Sequence, residues 1–357
     1  MTPQQDTEAA GAASNGADDA LPALVARPLA LSPEAPEYLA VIAQTPDVSR
    51  VAIVELGSGR ASLVPGVDGE VVDIGWVARG FGVLFRSDRS LWLYQFRQDR
   101  LLPVADGLAM GALRAYALSP DGHRLAIALD DAIEIAAIVE DGRFVRGHSY
   151  PLPYGLAVKQ LLWLDDDRLT CLLRDADGTR RQLLSIDARE RTTAVVEADP
   201  VNALLAPYPA SGGIVVAWLD PNGIGDEAAI RMPDGELRPL RTADEADAGE
   251  FTIAYRAATQ ESVARLGTED PGDATRLVVL PPGSAPARTW LEAFPRLQDL
   301  SLSPDGGWAT FVDNSPLYEI GDPGGDVYVT AFGTDDAHRV LEASLEGWSF
   351  REPVLGP

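Results

Sequence analysis

The sequence has one cysteine, one lysine and no apolar stretch long enough to span a bilayer. A single cysteine, Cys171, excludes a disulfide framework and a cysteine-cluster metal site. Without a run of ~18 apolar residues no transmembrane helix is expected, so no membrane insertion. Basic residues are scarce. Lys159 is the only lysine, and 29 Lys and Arg face 54 Asp and Glu, for a formal charge of −25. That sign repels phosphate, which argues against nucleic acid or an anionic membrane surface as partner. Acid enrichment with lysine loss fits a salt-rich interior. A GC-rich genome that favours arginine codons would give the same bias. The three histidines, His123, His148 and His338, stand at no metal-ligand spacing.

The 357 residues are 46% hydrophobic, enough for a sizeable core. Length alone suggests about two domains at ~150 residues each. The first 22 residues are small, acidic and free of Lys and Arg. They offer too little apolar surface to offset ordering entropy and are expected to be a disordered tail. They also lack the basic and apolar segments of a secretory leader. The cytoplasm is therefore the expected location, although a secreted protein with its leader removed would read the same.

From residue 23 to 357 the chain is a series of short apolar runs broken by turn residues. Val51-Ala-Ile-Val54, Leu125-Ala-Ile-Ala128, Ile214-Val-Val-Ala217 and Val327-Tyr-Val-Thr330 read as strands, and helical periodicity is nearly absent. The fold class is all-β. Leu118-Ser-Pro-Asp-Gly122 precedes one strand and Leu302-Ser-Pro-Asp-Gly306 another. Weaker copies begin at Leu31, Trp76, Trp163 and Trp348, with gaps of 45, 42 and 45 residues at the start and 46 at the end. Two degenerate copies near Ala206 and Ala254 fill the interval between Trp163 and Leu302. A period of ~45 residues with four short strands marks a β-propeller. A lone four-stranded sheet cannot bury both faces, whereas a closed ring of sheets buries each against its neighbours. Seven four-stranded blades are expected, with six or eight left open. Trp348-Ser-Phe350 lacks room for a further blade and is expected to pair with the first. Alternatively, Leu24–Arg27 supplies an outer strand.

On these residues, with Leu162-Trp-Leu-Asp165, the chain resembles the TolB-like, WD-repeat-like propellers. It is similar to the propeller domains that precede the hydrolase domain in the prolyl oligopeptidase family. The likeness covers roughly residues 25–350 and implies a fold, since such propellers host many roles. No hydrolase domain accompanies it. The nearest match to a nucleophile elbow, Gly147-His-Ser149-Tyr-Pro151, ends in proline with no helix after it. Gly223-Ile-Gly225-Asp-Glu-Ala228 imitates a dinucleotide fingerprint but sits in a hairpin-like stretch.

Carboxylates are the candidate binding groups. The connections between second and third strands gather on one face of a propeller. They carry Asp47, Asp88, Asp130, Asp131, Asp175 and Asp177 in the first four repeats. Asp220, Asp226, Glu227, Glu269, Asp270, Asp273, Asp313, Glu319 and Asp322 follow in the last three, where the connections are longest. A negative rim over that sector would steer a basic protein partner. Acids occur throughout this chain and turns favour Asp anyway. Asp220, Asn222, Asp226 and Glu227 also alternate oxygen ligands in the manner of a calcium loop, without its fifth ligand or terminal Glu. No other cofactor is implied. Arg79, Arg86, Arg89, Arg97 and Arg100 suggest a local anion site or exposed partners of nearby acids. Trp76, Trp163 and Trp348 read as core. Trp290, in a loop-like stretch, reads as an exposed partner anchor.

The resulting expectation is a non-enzymatic binding or scaffold propeller that presents an acidic loop face to a protein. Two alternatives stand beside it. One is an enzyme of the phosphogluconolactonase kind using the central funnel, although the Asn-Arg pattern expected there is missing. The other is a detached propeller subunit of a peptidase complex.

Overall fold

The short apolar runs become strands throughout. The computed structural model describes residues 21–356 apart from 31–34, 66–68, 78–81, 88–89, 105–112, 140–143, 199–200, 209–212, 220–225, 240–252, 257–260, 267–274, 281–287, 295, 304, 318–323, 335 and 345–346. Among the described residues there are 28 strands and no α-helix. They form seven antiparallel four-stranded sheets, the blades of a propeller.

Blade one contains β1 (Tyr38–Gln44), β2 (Ser49–Glu55) and β3 (Arg60–Leu63). Blade two is β4 (Val71–Trp76), β5 (Val83–Ser87), β6 (Ser90–Gln95) and β7 (Arg100–Pro103). Blade three is β8 (Ala115–Leu118), β9 (Arg124–Ala128), β10 (Ala132–Ile138) and β11 (Phe144–Pro151). Blade four is β12 (Ala157–Trp163), β13 (Arg168–Arg174), β14 (Arg181–Asp187) and β15 (Thr192–Glu197). Blade five is β16 (Val201–Tyr208), β17 (Gly213–Leu219), β18 (Asp226–Arg231) and β19 (Leu237–Pro239). Blade six is β20 (Ile253–Arg256), β21 (Glu261–Leu266), β22 (Thr275–Leu280) and β23 (Arg288–Phe294). Blade seven is β24 (Leu297–Leu302), β25 (Trp308–Asp313), β26 (Asp326–Ala331) and β27 (Ala337–Leu341). The last strand, β28 (Ser349–Leu355), returns to pair with β1 and gives blade one its inner strand.

The strands are apolar on both faces because neighbouring blades cover both. In β1, Leu39, Val41 and Ala43 face blade seven, among Val312, Val327, Val329 and Phe350. Ala40 and Ile42 face blade two, among Val71, Val83 and Phe85. Inner strands abut around the axis: β24 on β28, β28 on β4, β8 on β12, β12 on β16, β16 on β20 and β20 on β24. Between blades two and three, Gly75 lies against the Leu118 side chain.

The Ser-Pro-Asp-Gly copies are the turns from inner to second strand. Ser119 Oγ donates to Asp121 Oδ1 at 2.5 Å, the same oxygen accepts the His123 amide at 2.9 Å, and the Arg124 amide donates to Ser119 Oγ at 2.9 Å. Ser303, Asp305, Gly307 and Trp308 repeat the pattern at 2.5, 3.0 and 2.9 Å. Gly122 and Gly306 take φ of 65° and 68°, the left-handed conformation such a turn requires. The degenerate copies near Ala206 and Ala254 fall on inner strands β16 and β20, as expected.

Closure uses the expected β28–β1 pairing, whereas Leu24–Arg27 adds an isolated bridge and not an outer strand. Besides the β28–β1 pairing, Ala26 bridges Leu341 on the outer edge of blade seven, with the Arg27 amide donating to Val340 O at 2.9 Å. One anchor departs from the pattern. Trp76 and Trp163 end inner strands, but Trp348 precedes β28, and Leu355 occupies the terminal place. The copy at Leu31 and the tail before residue 21 lie outside the described residues.

Tryptophan indoles bolt adjoining blades. Trp76 Nε1 donates to Val354 O at 2.9 Å and Trp163 Nε1 to Ala117 O at 3.0 Å. In both pairs the carbonyl belongs to the preceding blade's inner strand. Trp290 corrects the expectation of an exposed anchor. It lies in outer strand β23, only 5% exposed, with Nε1 on Thr334 O at 3.0 Å and its ring 4.5 Å from that of Phe332. Its flanking polar residues made an outer strand look like a loop.

Candidate functional site

Each inner strand ends at the turn face and begins at the opposite loop face, where second-to-third strand connections and blade-to-blade connections gather. Three inner strands carry an acid three residues before their last position: Asp73 in β4, Asp299 in β24 and Glu352 in β28. These strands are consecutive in the ring, and the three carboxylates are near enough for Asp73 and Asp299 both to act on Glu352, in one sector around the axis. In β12 the same place is held by Gln160, whose Oε1 accepts the Leu204 amide at 2.8 Å.

The strand pairing is irregular beside each of these acids. Register shifts occur between Val71 and Asp73, between Gln298 and Ser301, and opposite Ala40 and Ile42 in β28. Asp299 and Glu352 adopt left-handed φ, 51° and 47°, a conformation that disfavours a residue with a long side chain such as Glu. The Glu352 amide donates to Asp299 Oδ2 at 3.0 Å, which ties blade one to blade seven.

Around the acids stand Arg86, Tyr116 and Arg351. Arg86, in β5, is paired in register with Asp73, and its Nη1 donates to Arg114 O at 2.9 Å. Arg351 Nη2 reaches Glu70 Oε1 at 3.1 Å. Burial pushes the Asp73 carboxyl up to about 6, with Arg86 pulling the other way. Glu352 is open to solvent along the axis yet walled in by the ring. That enclosure, with Asp73 and Asp299 beside it, pushes its carboxyl up to about 7. Tyr116 is 9% exposed, and burial, then Asp73 and Glu352, raise its hydroxyl well above the ordinary value. Its Oη has no hydrogen-bond partner, nor does Arg86 Nε, and both atoms are buried. Acids in a strand look like ordinary alternation, and these three are far apart in sequence. The usable signal was their shared position in the repeat.

The loop face bears exposed carboxylates at Asp47, Glu70, Asp130, Asp131 and Asp177, from blades one, three and four and the connection into blade two. Arg114 Nε bonds Asp130 Oδ1 at 2.6 Å. Gln44–Arg50 with Gly69 and Glu70 line a cleft of about 490 Å³ on this face. Most of the acids expected on the rim of blades five to seven, Asp220, Glu269, Asp270, Asp273, Glu319 and Asp322, lie outside the described residues, as do Asp88 and Asn222. Asp313 is corrected. It ends β25 only 9% exposed, and its Oδ1 accepts the amide of Ser315 at 3.1 Å and that residue's hydroxyl, so it shapes the turn. Of the calcium candidate, Asp226 and Glu227 belong to β18, opposite Leu219 and Trp218. Among the described residues no three His, Cys, Asp or Glu side chains gather to hold a metal ion.

The expected arginine cluster is dispersed. Arg86 lies by the channel, whereas Arg97 stands over the Phe96 ring at 5.9 Å in the turn between β6 and β7, and Arg79 and Arg89 lie outside the described residues. Ser149 sits in outer strand β11, opposite Glu134 and without an elbow. Of the Gly223–Ala228 match, Asp226–Ala228 lie in strand β18 and not in a helix, and the glycines lie outside the described residues.

Residues 102–216 match the sequence model of the lipoprotein LpqB β-propeller domain. No curated protein sequence matches the chain. Among solved structures the chain is similar to a prolyl endopeptidase, with a TM-score of 0.62 and 11% identity over 89% of this chain and 50% of that one. It thus spans half the length of that enzyme. It is also similar to the β-propeller domain of the Trilobed protease from Pyrococcus furiosus, with a TM-score of 0.60 and 9% identity over 85% and 94% of the two chains. That domain has an open velcro topology, whereas here β28 closes the ring. TolB from Acinetobacter baumannii has a TM-score of 0.50 and 12% identity over 89% and 82%. The chain is a seven-bladed propeller similar to TolB and to the prolyl oligopeptidase propellers. Among the described residues no helix is long and apolar enough to cross a membrane.

Proposed function

We propose that this propeller is a non-enzymatic binding module that presents an acidic loop face to a basic protein. The observation that supports this reading is the placing of exposed carboxylates from separate blades, Asp47, Asp130, Asp131 and Asp177, on one face. Charges spread over a rigid rim raise encounter rates with a cationic partner and are screened as salt rises. Tyr154, fully exposed in the connection into β12, adds an aromatic contact on the same face. The test is capture from native extract at low salt by the immobilised chain. A basic partner should be retained, released by moderate salt, and lost when the four aspartates are replaced by asparagine. Recovery of the bare chain alone at both salt levels overturns the reading.

A second reading places lactonase-type chemistry in the channel. It is favoured by carboxyls held near neutrality at Asp73 and Glu352, the range a general acid or base needs. Turnover of a lactone panel decides it, and hydrolysis no faster than in buffer removes it. As to location, a lipoprotein in the name of the matching family favours the cell envelope over the cytoplasm expected from the N-terminus. Fractionation of cells expressing the full gene separates the two.

A further inference from the structure

We propose that the Asp73–Asp299–Glu352 sector of the axial channel is a binding site for a primary ammonium group, with Tyr116 as a ligand-facing hydroxyl.

The cluster is more than a concentration of acid. Its members come from blades seven, one, two and three, so ring closure assembles them at one level of the channel. Three carboxylates face two neighbouring guanidiniums, Arg86 and Arg351, and Arg351 is shared with a fourth carboxylate, Glu70. The sector therefore has a net deficit of positive charge even before the wider acidity of the chain is considered. Solvent reaches Glu352.

Two buried polar atoms lack partners here. Tyr116 Oη lies within electrostatic reach of Asp73, Glu352 and Arg86, yet makes no hydrogen bond. Arg86 Nε is unpartnered too, although the same guanidinium is pinned through Nη1 to Arg114 O at 2.9 Å. Buried groups of this kind are ordinarily satisfied, and leaving one unpaired costs about 1–3 kcal/mol. A ligand that hydrogen-bonds to Tyr116 would relieve that cost.

The chemistry of the occupant follows from the donor set. No three of the acids approach as metal ligands do. The occupant must instead span between carboxylates with its own hydrogen-bond donors. A primary ammonium carries three N–H donors on a compact charge, one for each of several carboxylates, and charge-assisted bonds of this type are the strong ones. Tyr116 Oη can accept from it or donate to an adjacent oxygen of the same ligand. Two sources share this chemistry, a free small amine and a lysyl side chain of a protein threaded into the channel mouth. This inference does not rest on the loop-face reading. The loop-face aspartates and the channel acids are different residues, so each proposal fails by its own variant set.

The experiment is calorimetric titration of the full chain with 1,5-diaminopentane, with a short lysine-containing peptide, and with tetramethylammonium, which has the charge but no N–H. At least one of the first two should bind, and tetramethylammonium should not. Binding of the diamine alone assigns the free-amine source, and binding of the peptide alone assigns the lysyl source. Asp73→Asn and Glu352→Gln should each weaken the amine by about tenfold or more. Tyr116→Phe, which removes only an unpartnered oxygen and leaves the packed ring, should weaken it several-fold while thermal stability holds or rises. Near pH 6.5, titrations in buffers of different ionisation heat should show proton release, because a bound cation adds to Arg86 and Arg351 in favouring the charged form of Asp73 and Glu352. Equal binding of tetramethylammonium, or amine affinity unmoved by Tyr116→Phe and Asp73→Asn, would show general attraction to an acidic protein and overturn the site. So would the absence of binding by both amines.

Discussion

Glu352 and Asp299 are joined by a backbone amide donating to a carboxylate at 3.0 Å, and both residues hold left-handed φ. The contact aligns two carboxylates from neighbouring blades instead of separating them. Burial and like charge then act together on the Glu352 carboxyl.

That crowding makes stability depend on pH with a definite sign. The folded state raises Asp73 from 3.8 to about 6 and Glu352 from 4.5 to about 7. Native protein thus holds these protons more tightly than unfolded chain. Their favourable contribution is complete below the unfolded values and is lost as pH rises through about 6 to 7. Glu352→Gln keeps the shape of the neutral form. It should raise the melting temperature by about 2 °C near pH 8 and change it little near pH 5. Thermal melts across that window check this, and an equal fall at both ends would contradict it.

The Ser-Pro-Asp-Gly turns predict a matched pair of losses. Asp121 Oδ1 and Asp305 Oδ1 each accept a hydroxyl and a backbone amide. Asp121→Ala and Asp305→Ala should each cost about 1–2 kcal/mol, read as a lower urea midpoint at constant slope. The two sites lie in different blades without shared partners, so the double variant should show near-additive loss.

The indole bolts predict a graded series. Trp163→Phe removes the bond to Ala117 O at 3.0 Å while keeping an aromatic ring between blades. About 1–2 kcal/mol should go with the bond and the unpaired carbonyl. Trp163→Ala also empties a site only 4% exposed, and should cost about 3–5 kcal/mol. Denaturant unfolding of both variants separates bond from packing.

Closure can be tested at one side chain and then at a whole strand. Phe350 is 1% exposed between blades one and seven, so Phe350→Ala should cost about 3–5 kcal/mol. A chain ending before Ser349 leaves β1 without its inner neighbour. It should lose cooperative unfolding and bind a hydrophobic dye, while a peptide of residues 347–357 added in trans should restore the sharp transition. A truncated chain that melts as the full one does would show that β28 is dispensable.

The ring was legible in the sequence for a physical reason. A turn that needs Asp to accept amides and Gly to take positive φ admits few substitutes, so Leu118–Gly122 and Leu302–Gly306 stay recognisable. Spacing then counted the blades, even where the copies near Ala206 and Ala254 had lost the turn. The channel acids were not legible. Asp73, Asp299 and Glu352 are single polar residues in inner strands, a pattern that solvent-facing alternation produces everywhere. Only the closed ring makes them neighbours. Trp290 misled for the converse reason. Arg288 and Thr289 are exposed on an outer strand, so its surroundings looked like a loop although the ring itself is covered.

Blade one has a consequence for synthesis. Its three outer strands leave the ribosome before the other six blades, and its axial strand leaves after them. The nascent chain must therefore carry an unfinished sheet edge, alongside the exposed flank of each newly formed blade, until β28 emerges. Such edges invite pairing with other chains. The high negative charge of the sequence gives growing copies a reason to stay apart during that interval.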